Sequence, residues 1–300
     1  MIQALYESNC PDLKLVARGK VRDLYEVDEA TLLFVATDRI SAYDVIMTTP
    51  VAGKGKILTQ ISVFWFDHLK DVVPNHLITA NIDDMPASVQ KYRDQLAGRS
   101  LLVKKVEVLP IEAIVRGYIT GSGWKEYKSK GTVCDIKLPD GLRESQKLPH
   151  ALFTPSTKAE YGDHDENIHP DKCAQIIGKS RADEMARVAT ALYSKAAEFA
   201  AGKGIIIADT KFEFGIDAAG NIMLIDEALT PDSSRFWPAA LYKVGRPQES
   251  YDKQYLRDYL TSIDFDMRSP IDLPPTVLDN TLKKYIEAYV KLTGDRPKLD

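Results

Sequence analysis

Residues 204–237, GIIIADTKFEFGIDAAGNIMLIDEALTPDSSRFW, restrict this chain more tightly than any other segment. An apolar run, Ile205, Ile206 and Ile207, leads into Asp209, Lys211 and Glu213, which alternate with Thr210, Phe212 and Phe214. Alternation with period two predicts a strand that carries Asp209, Lys211 and Glu213 on one face. Residues 217–220 read as a turn, and a second run, 222–225, ends in Asp226 and Glu227. With a four-residue loop, Asp226 falls opposite Lys211 and diagonal to Glu213 on the same face. One residue more or less in that loop would flip the face.

Three carboxylates and a lysine on one sheet face, flanked by apolar residues, cannot stay dry and unpaired. A hard divalent cation carrying a polyphosphate would neutralise them, because magnesium takes one or two carboxylates and completes its shell with phosphate oxygens and water. A salt-bridged surface hairpin would also satisfy the charges. The apolar flanks and the trailing Asp232-Ser233-Ser234-Arg235 favour a site.

With 300 residues, 44% of them hydrophobic and 27% charged, the chain can bury a sizeable core in one large domain or two lobes. A net charge of -4, with cations scattered along the chain, leaves no nucleic-acid or membrane footprint. Cys10, Cys134 and Cys173 lack metal spacing and suggest reduced thiols. No secretory signal pattern opens the chain and no apolar run approaches ~20 residues, so the expected compartment is the cytoplasm.

The first hundred residues read as β-rich. Residues 13–18 and 21–27 flank Gly19 and Lys20 as a hairpin, 31–36 form a compact strand, and 45–47 continue after TDRISAYD. Residues 58–69 show helical spacing. Residues 101–108 predict a strand that stops at Pro110, and 110–116 a second one. Glycine-rich residues 117–131 read as a loop with a short helix around Trp124, and 139–169 as an irregular excursion. Residues 181–201 give the clearest helix, ended by Gly202 and Gly204, and two more amphipathic helices fall near 252–263 and 276–292. The layout divides into a β-rich nucleotide-binding lobe, 1–108, and a mixed α/β lobe, 109–300, with a nucleotide between them.

Several further groups could bind anions. Gly19, Lys20 and Arg22 place two cations beside a glycine, although most such turns are only turns. Gly53-Lys54-Gly55-Lys56 reads as a flexible basic turn. Arg116, followed by Thr120, Gly121, Ser122 and Gly123, could hold a phosphate or carboxylate, or be an exposed loop arginine. In the DSSR segment, Arg235 suits an anion while Asp232 or Ser233 could cap a helix. Residues 163–169 read as a polar loop, and His68 and His76 as a helix face and a turn. No nucleophile elbow or H-R-D-x-x-x-x-N loop is present. Anion binders around a magnesium site suit phosphoryl transfer, where positioning and charge neutralisation carry the catalysis.

GKVRDLYEV, ATDRISAYD, VLPIEAIVRGYITGSGW, FTPSTKAEYGDHDENI, IADTKFEFG and LIDEALTPDSSRFWP, in that order, resemble the phosphoribosylaminoimidazole-succinocarboxamide synthase (SAICAR synthetase) family. The wording is closest to the single-activity fungal form, with long bacterial forms next. The resemblance implies an α+β, two-lobed fold, distantly like protein kinases and ATP-grasp enzymes, with the nucleotide in the interlobe cleft. It implies an ADP-forming ligase of de novo purine synthesis that condenses carboxyaminoimidazole ribonucleotide (CAIR) with L-aspartate, using ATP and Mg²⁺ and acting as a monomer. Gly19, Lys20 and Arg22 would cover the ATP phosphates. The connector, with Lys104, Val106 and Val108, would hold adenine, and Glu112 would lie near the ribose. Glu213 and Asp226 would bind magnesium. Arg116, Ser122, Ser234 and Arg235 would hold the imidazole nucleotide, with Ser41 and Asp44 beside it. Lys211, Asp209 and Lys158 would lie near the reacting groups, Asp209 as one candidate proton acceptor, and Lys20 and Lys211 would neutralise the phosphates. A nucleotide-binding regulator without turnover and a small-molecule kinase of similar fold are the rival readings.

Overall fold

The computed structural model describes residues 3–158, 166–251 and 253–300. The expected first hairpin forms: β1 (Lys14–Arg18) pairs with β2 (Arg22–Glu26) around Gly19 and Lys20, and β3 (Thr31–Ala36) pairs with β2. Two short strands, β4 (Ser41–Ala42) and β5 (Val45–Ile46), are joined through Tyr43 and Asp44, both at positive φ. Helix α1 (Lys54–Leu69) begins earlier than its apolar spacing suggests, because the Gly-Lys-Gly-Lys segment is its first turn rather than a flexible loop. After β6 (Leu77–Thr79) and the short helices α2 (Ala87–Gln90) and α3 (Arg93–Leu96), β7 (Ser100–Lys104) completes a five-stranded sheet in the order β1-β2-β3-β7-β6. Tyr25, Leu33, Val35 and Leu102 point from it into a small core with Cys10 and Met85. Leu101 and Val103 face the main core with α1.

The chain changes sheet at Lys105 and Val106, and β8 (Glu107–Tyr118) runs through Pro110. Two strands broken at the proline were expected. Proline cannot donate a ladder hydrogen bond, and strands tolerate it at irregularities. The register of β8 against its neighbour shifts at that point, between Val108 and Glu112. A lobe boundary after residue 108 would therefore cut β8.

Helix α4 (Gly121–Lys130) is longer than the short helix expected around Trp124. It is followed by β9 (Thr132–Val133), β10 (Ile136–Lys137), β11 (Lys147–Phe153) and β12 (Ser156–Thr157), so residues 139–158 are more regular than their prolines suggest. Helix α5 (Pro170–Ile177), unread in the sequence, starts from a His169 cap whose Nδ1 accepts from the Asp171 amide at 3.2 Å. The long helix α6 (Lys179–Gly202), β13 (Ile205–Ile216), β14 (Ile222–Ile225), β15 (Ser234–Pro238), α7 (Gln254–Ser262) and α8 (Pro275–Thr293) complete the chain.

β13 is the centre of the second sheet, ordered β11-β8-β13-β14, with β12 on β8 and β15 on β13. Its apolar face sends Phe212 and Phe214, both fully buried, into the core that also holds Met185, Val188 and Leu192 of α6. Each such side chain contributes about 1.5–3 kcal/mol of burial. Its polar face is thereby turned away from that core, toward the site.

α1 lies so close to β3 that a Cβ on Gly55 would meet the Ala36 carbonyl oxygen at 2.2 Å. Gly55→Ala should therefore lower stability by about 1–3 kcal/mol, as overpacking does. A urea unfolding midpoint equal to wild type would refute the close approach.

Candidate active site

Ile216 pairs with Ile222 and Glu213 with Ile225, so the hairpin loop spans residues 217–221, one residue longer than expected. The Asp217 carboxylate sets that length by accepting from the amides of Ala219 and Asn221 at 2.9 and 2.8 Å. Ile225, not Asp226, therefore shares the face of Glu213, and a continued strand would turn Asp226 to the opposite side. The strand does not continue. Asp226 sits at φ 64, in the left-handed region that few non-glycine residues adopt. Its carboxylate reaches Arg22 at 2.7 Å and lies in the same electrostatic field as Glu213 and Lys211. The expected pairing is off by one, and the left-handed residue restores the shared side.

His76 supports this turn. Its backbone amide donates to Leu224 at 3.0 Å, its carbonyl accepts from Lys104 at 2.8 Å, and its Nε2 lies 3.3 Å from the Asp226 carbonyl. Burial between Phe34 and Phe66 pushes its imidazole down to about 4, so it is neutral and its Nε2–H donates. The sequence marked His76 only as a turn residue.

Cations and carboxylates interlock on the polar face of β8 and β13, where Glu112 stands opposite Glu213 and Arg116 opposite Asp209. Lys211 Nζ donates to Glu112 at 2.7 Å and to Glu213 at 2.9 Å, and Lys158 Nζ donates to Glu213 at 2.5 Å. Burial alone would push the Lys211 ammonium down, but Glu213, Glu112 and Asp226 hold it above its ordinary value. Burial favours the neutral acid of Glu213, yet Lys211 and Lys158 hold that carboxyl well below the usual range. For Asp226, burial dominates and raises it to about 6; Glu213 adds to the rise and Arg22 opposes it. Arg22 also lies 3.5 Å from Glu227.

Four residues along β13, the charge pattern inverts. Asp209 Oδ2 accepts from Arg116 at 3.2 Å and also from Arg235, so two guanidiniums converge on one carboxylate. Arg116 also donates to Ser122 and Thr154, at 3.2 and 3.1 Å. Burial lowers the Arg116 guanidinium, and neighbouring Arg235 adds to this. Gly121, at φ 56, leaves room for Arg235: a Cβ there would come within 2.4 Å of the guanidinium. Ser234 is not brought to this face. It stands opposite Thr210 and its hydroxyl meets the Thr210 hydroxyl at 2.8 Å, on the other side of the sheet.

The remaining expected residues lie on the β1–β2 turn, the β4–β5 hairpin, the end of β7, the connector and the start of β8. Lys20 contacts the Asp44 carboxylate at the tip of the β4–β5 turn, and Ser41 is in β4, half-buried. Lys104 ends β7, Val106 is in the connector and Val108 is exposed on β8. Residues 163–165 of the expected polar loop lie outside the described residues. Among the described residues, no group of three or more His, Cys, Asp or Glu side chains is arranged to hold an ion unaided. No described helix is long and apolar enough to cross a membrane.

Asp232 takes a role that the sequence did not reveal. The DSSR segment leads into β15, so neither Asp232 nor Ser233 caps a helix. Fully buried Lys54 reaches Asp232 at 2.8 Å, Lys253 approaches at 3.2 Å, and the Tyr285 hydroxyl donates to it at 2.7 Å. No sequence spacing links these four residues.

The model of the SAICAR synthetase family matches residues 15–271. The chain belongs to the SAICAR synthetase family. It is 55% identical over 294 residues to the phosphoribosylaminoimidazole-succinocarboxamide synthase of Maridesulfovibrio salexigens, covering 98% of each chain. The solved structure of SAICAR synthase from Saccharomyces cerevisiae complexed with SAICAR shares 52% of residues and a TM-score of 0.91, over 98% of this chain and 99% of that one. A SAICAR synthetase in complex with ADP is 26% identical at a TM-score of 0.70, over 94% of this chain and 99% of that one. The family fold is thus the mixed α/β architecture described above.

Removing one partner of a buried ion pair strands the other charges, so Asp232→Asn should cost about 3–5 kcal/mol. Burial opposes ionisation of Asp232, but Lys253 and Lys54 hold its carboxyl below 3.8. A depressed carboxyl contributes stability above its unfolded value and loses it as pH falls through the folded value. Denaturant midpoints should therefore show the same deficit at about pH 5 and about pH 8, with the gap narrowing only in stronger acid.

Proposed function

We infer that this chain is the ATP-dependent ligase of its family, joining the CAIR carboxylate to the amine of L-aspartate with release of ADP and phosphate. One observation carries the reading: Glu213 and Asp226 share the field of Lys211 and Arg22 on a strand pair that the family model matches. The relative solved with SAICAR supports the substrate pair, and the relative solved with ADP supports ATP as the nucleotide.

The donor chemistry fits magnesium: Glu213 and Asp226 are hard oxygen ligands, and both are now compensated by protein cations. These two carboxylates would hold the ion, which when bound supplies charge neutralisation on the phosphate oxygens. Lys20 and Lys211 add fixed positive charge there, and Gly19 lets the backbone approach. Arg22 sits on Asp226 and Glu227, where it can pass to the phosphates. The connector at Lys104, Val106 and Val108 borders the adenine site, with Glu112 toward the ribose. Arg116, Arg235 and Ser122 form the anion-seeking end for the imidazole nucleotide, with Ser41 and Asp44 nearby.

A carboxylate is a poor electrophile, so the substrate carboxylate must be activated. Its oxygen attacks the γ-phosphorus, ADP leaves, and an acyl phosphate forms. The aspartate amine then attacks the carbonyl carbon and phosphate departs. Lys158 and Lys211, both on Glu213, stand where charge develops on these groups. Asp209 Oδ2, the oxygen that would take a proton, already accepts from two guanidiniums. We therefore assign it to orienting Arg116 and Arg235 rather than to accepting the amine proton.

Asp226→Asn should lower turnover by on the order of 10²-fold or more at saturating magnesium, as loss of one electrostatic stabiliser does. A coupled assay that omits CAIR, ATP or L-aspartate in turn should show ADP release only with all three. ADP release that ignores L-aspartate would instead indicate a kinase. ¹⁸O placed in the CAIR carboxylate should appear in the released phosphate, and an unlabelled product would eliminate the acyl phosphate.

A further inference from the structure

Arg39 is buried and its side chain is directed almost wholly at backbone. Its Nε donates to the Lys20 carbonyl at 3.1 Å, and its Nη2 donates to the carbonyls of Gly19 and Arg22 at 3.0 and 3.3 Å. Nη2 also donates to Asp23 at 2.8 Å, and Nη1 donates to the Tyr6 carbonyl. One guanidinium thus collects three carbonyls of the Gly19–Arg22 segment that joins β1 to β2. Buried Asp23 fixes the guanidinium in turn, and is itself bonded by the Ser8 amide and hydroxyl at 2.8 and 2.7 Å. The turn closes through the Gly19 amide, which donates to the Arg22 carbonyl at 2.7 Å.

The direction of those carbonyls has a consequence for the amides. Among the described residues there is no cis peptide bond, and in a trans peptide the C=O and the following N–H point in opposite directions. With the Gly19 and Lys20 carbonyls turned toward Arg39, the N–H groups of Lys20 and Val21 point away from it. Among the described residues neither amide has an acceptor within the chain. Two successive outward amides form an anion-binding concavity. Without Arg39, the Gly19 and Lys20 carbonyls would lose the donor that holds them on that side, and their oxygens could swing to where they would repel an anion.

We propose that Arg39 is a positioning residue that holds the Gly19–Arg22 turn so that the Lys20 and Val21 amides meet phosphate oxygens of the nucleotide. The inference rests on the proposed nucleotide site and adds to it a residue that touches no substrate. Lysine at this position would keep the charge opposite Asp23 but lose the planar fork that reaches three carbonyls.

The test compares wild type, Arg39→Lys and Lys20→Met, varying ATP and L-aspartate separately and recording thermal midpoints. For Arg39→Lys, the KM for ATP should rise roughly tenfold or more while the KM for L-aspartate stays within about twofold. If Lys20→Met raises the KM for ATP and Arg39→Lys does not, the inference is wrong and the nucleotide site stands. If neither raises it, the nucleotide reading of the turn fails. An equal rise in both KM values for Arg39→Lys would reduce Arg39 to general structural support and overturn the proposal. Should Arg39→Lys fail to fold, hydrogen exchange in the wild-type protein decides: ADP should slow exchange at the Lys20 and Val21 amides, and unchanged exchange there overturns the proposal.

Discussion

Ionised groups can be removed from water only where each meets a counter-charge, and the pairing of β8 with β13 meets that condition residue by residue. Glu112 opposite Glu213 would be repulsive without Lys211 bonded to both, and Asp209 opposite Arg116 is attractive as it stands. The result is a strip with two ends of different sign preference. Carboxylates cluster at one end, where a cation is wanted. Guanidiniums outnumber carboxylates at the other, where an anion is wanted. Asp209 and Glu213 are four residues apart, about 13 Å along a strand, which separates the two ends by the length of a small substrate. A ligase that holds one phosphorylated substrate while activating it with a second needs such a strip. The rest of the fold keeps it in register: Phe212 and Phe214 anchor the back of β13, while β15 brings Arg235 to the anion-seeking end.

The first sheet completes the site by reaching across. Arg22 leaves β2 to meet Asp226, and His76, next to β6, holds the carbonyl of the same residue. Asp226 is therefore gripped from two elements of the first sheet although its chain belongs to the second. A non-glycine residue at positive φ costs of order 1 kcal/mol or more. These two grips, one of them from a neutral histidine, are a sufficient reason for that conformation to persist.

Legibility in the sequence divided along physical lines. Alternation on β13 was readable because strand side chains have a fixed period and the apolar partners Phe212 and Phe214 marked the other face. The position of Asp226 was not, because the loop length depends on hydrogen bonds made by the Asp217 side chain, and the left-handed turn at 226 obeys no periodicity. The break between β7 and β8 was misplaced because Pro110 looks like a terminator, whereas a register shift accommodates it. Lys54 looked like part of a mobile glycine-lysine turn. Its counter-charge, Asp232, lies 178 positions later in the chain, and contact over that separation leaves no local pattern. The motif resemblance pointed to the Arg116, Ser122 and Arg235 cluster. It also grouped Ser234 with Arg235, although adjacent residues on a strand face opposite ways.

The charges do not end at the strip. Glu227 is shared: Arg22 approaches it, Thr230 donates to it at 2.8 Å, and its charge acts on Lys253. Lys253 pairs with Asp232, and Asp232 with Lys54 at the start of α1. Burial pushes the Lys253 ammonium down, and Lys54 pushes it further, against the pull of Asp232. Two lysines on one aspartate leave positive charge that Glu227 helps to balance, so Glu227 cannot serve Arg22 and Lys253 independently. A change in the charge of Lys54 or Asp232 would alter how strongly Glu227 holds Arg22, and hence how readily Arg22 leaves Asp226. The first turn of α1 is in this way electrostatically linked to the Arg22–Asp226 pair, with Asp232, Lys253 and Glu227 between them.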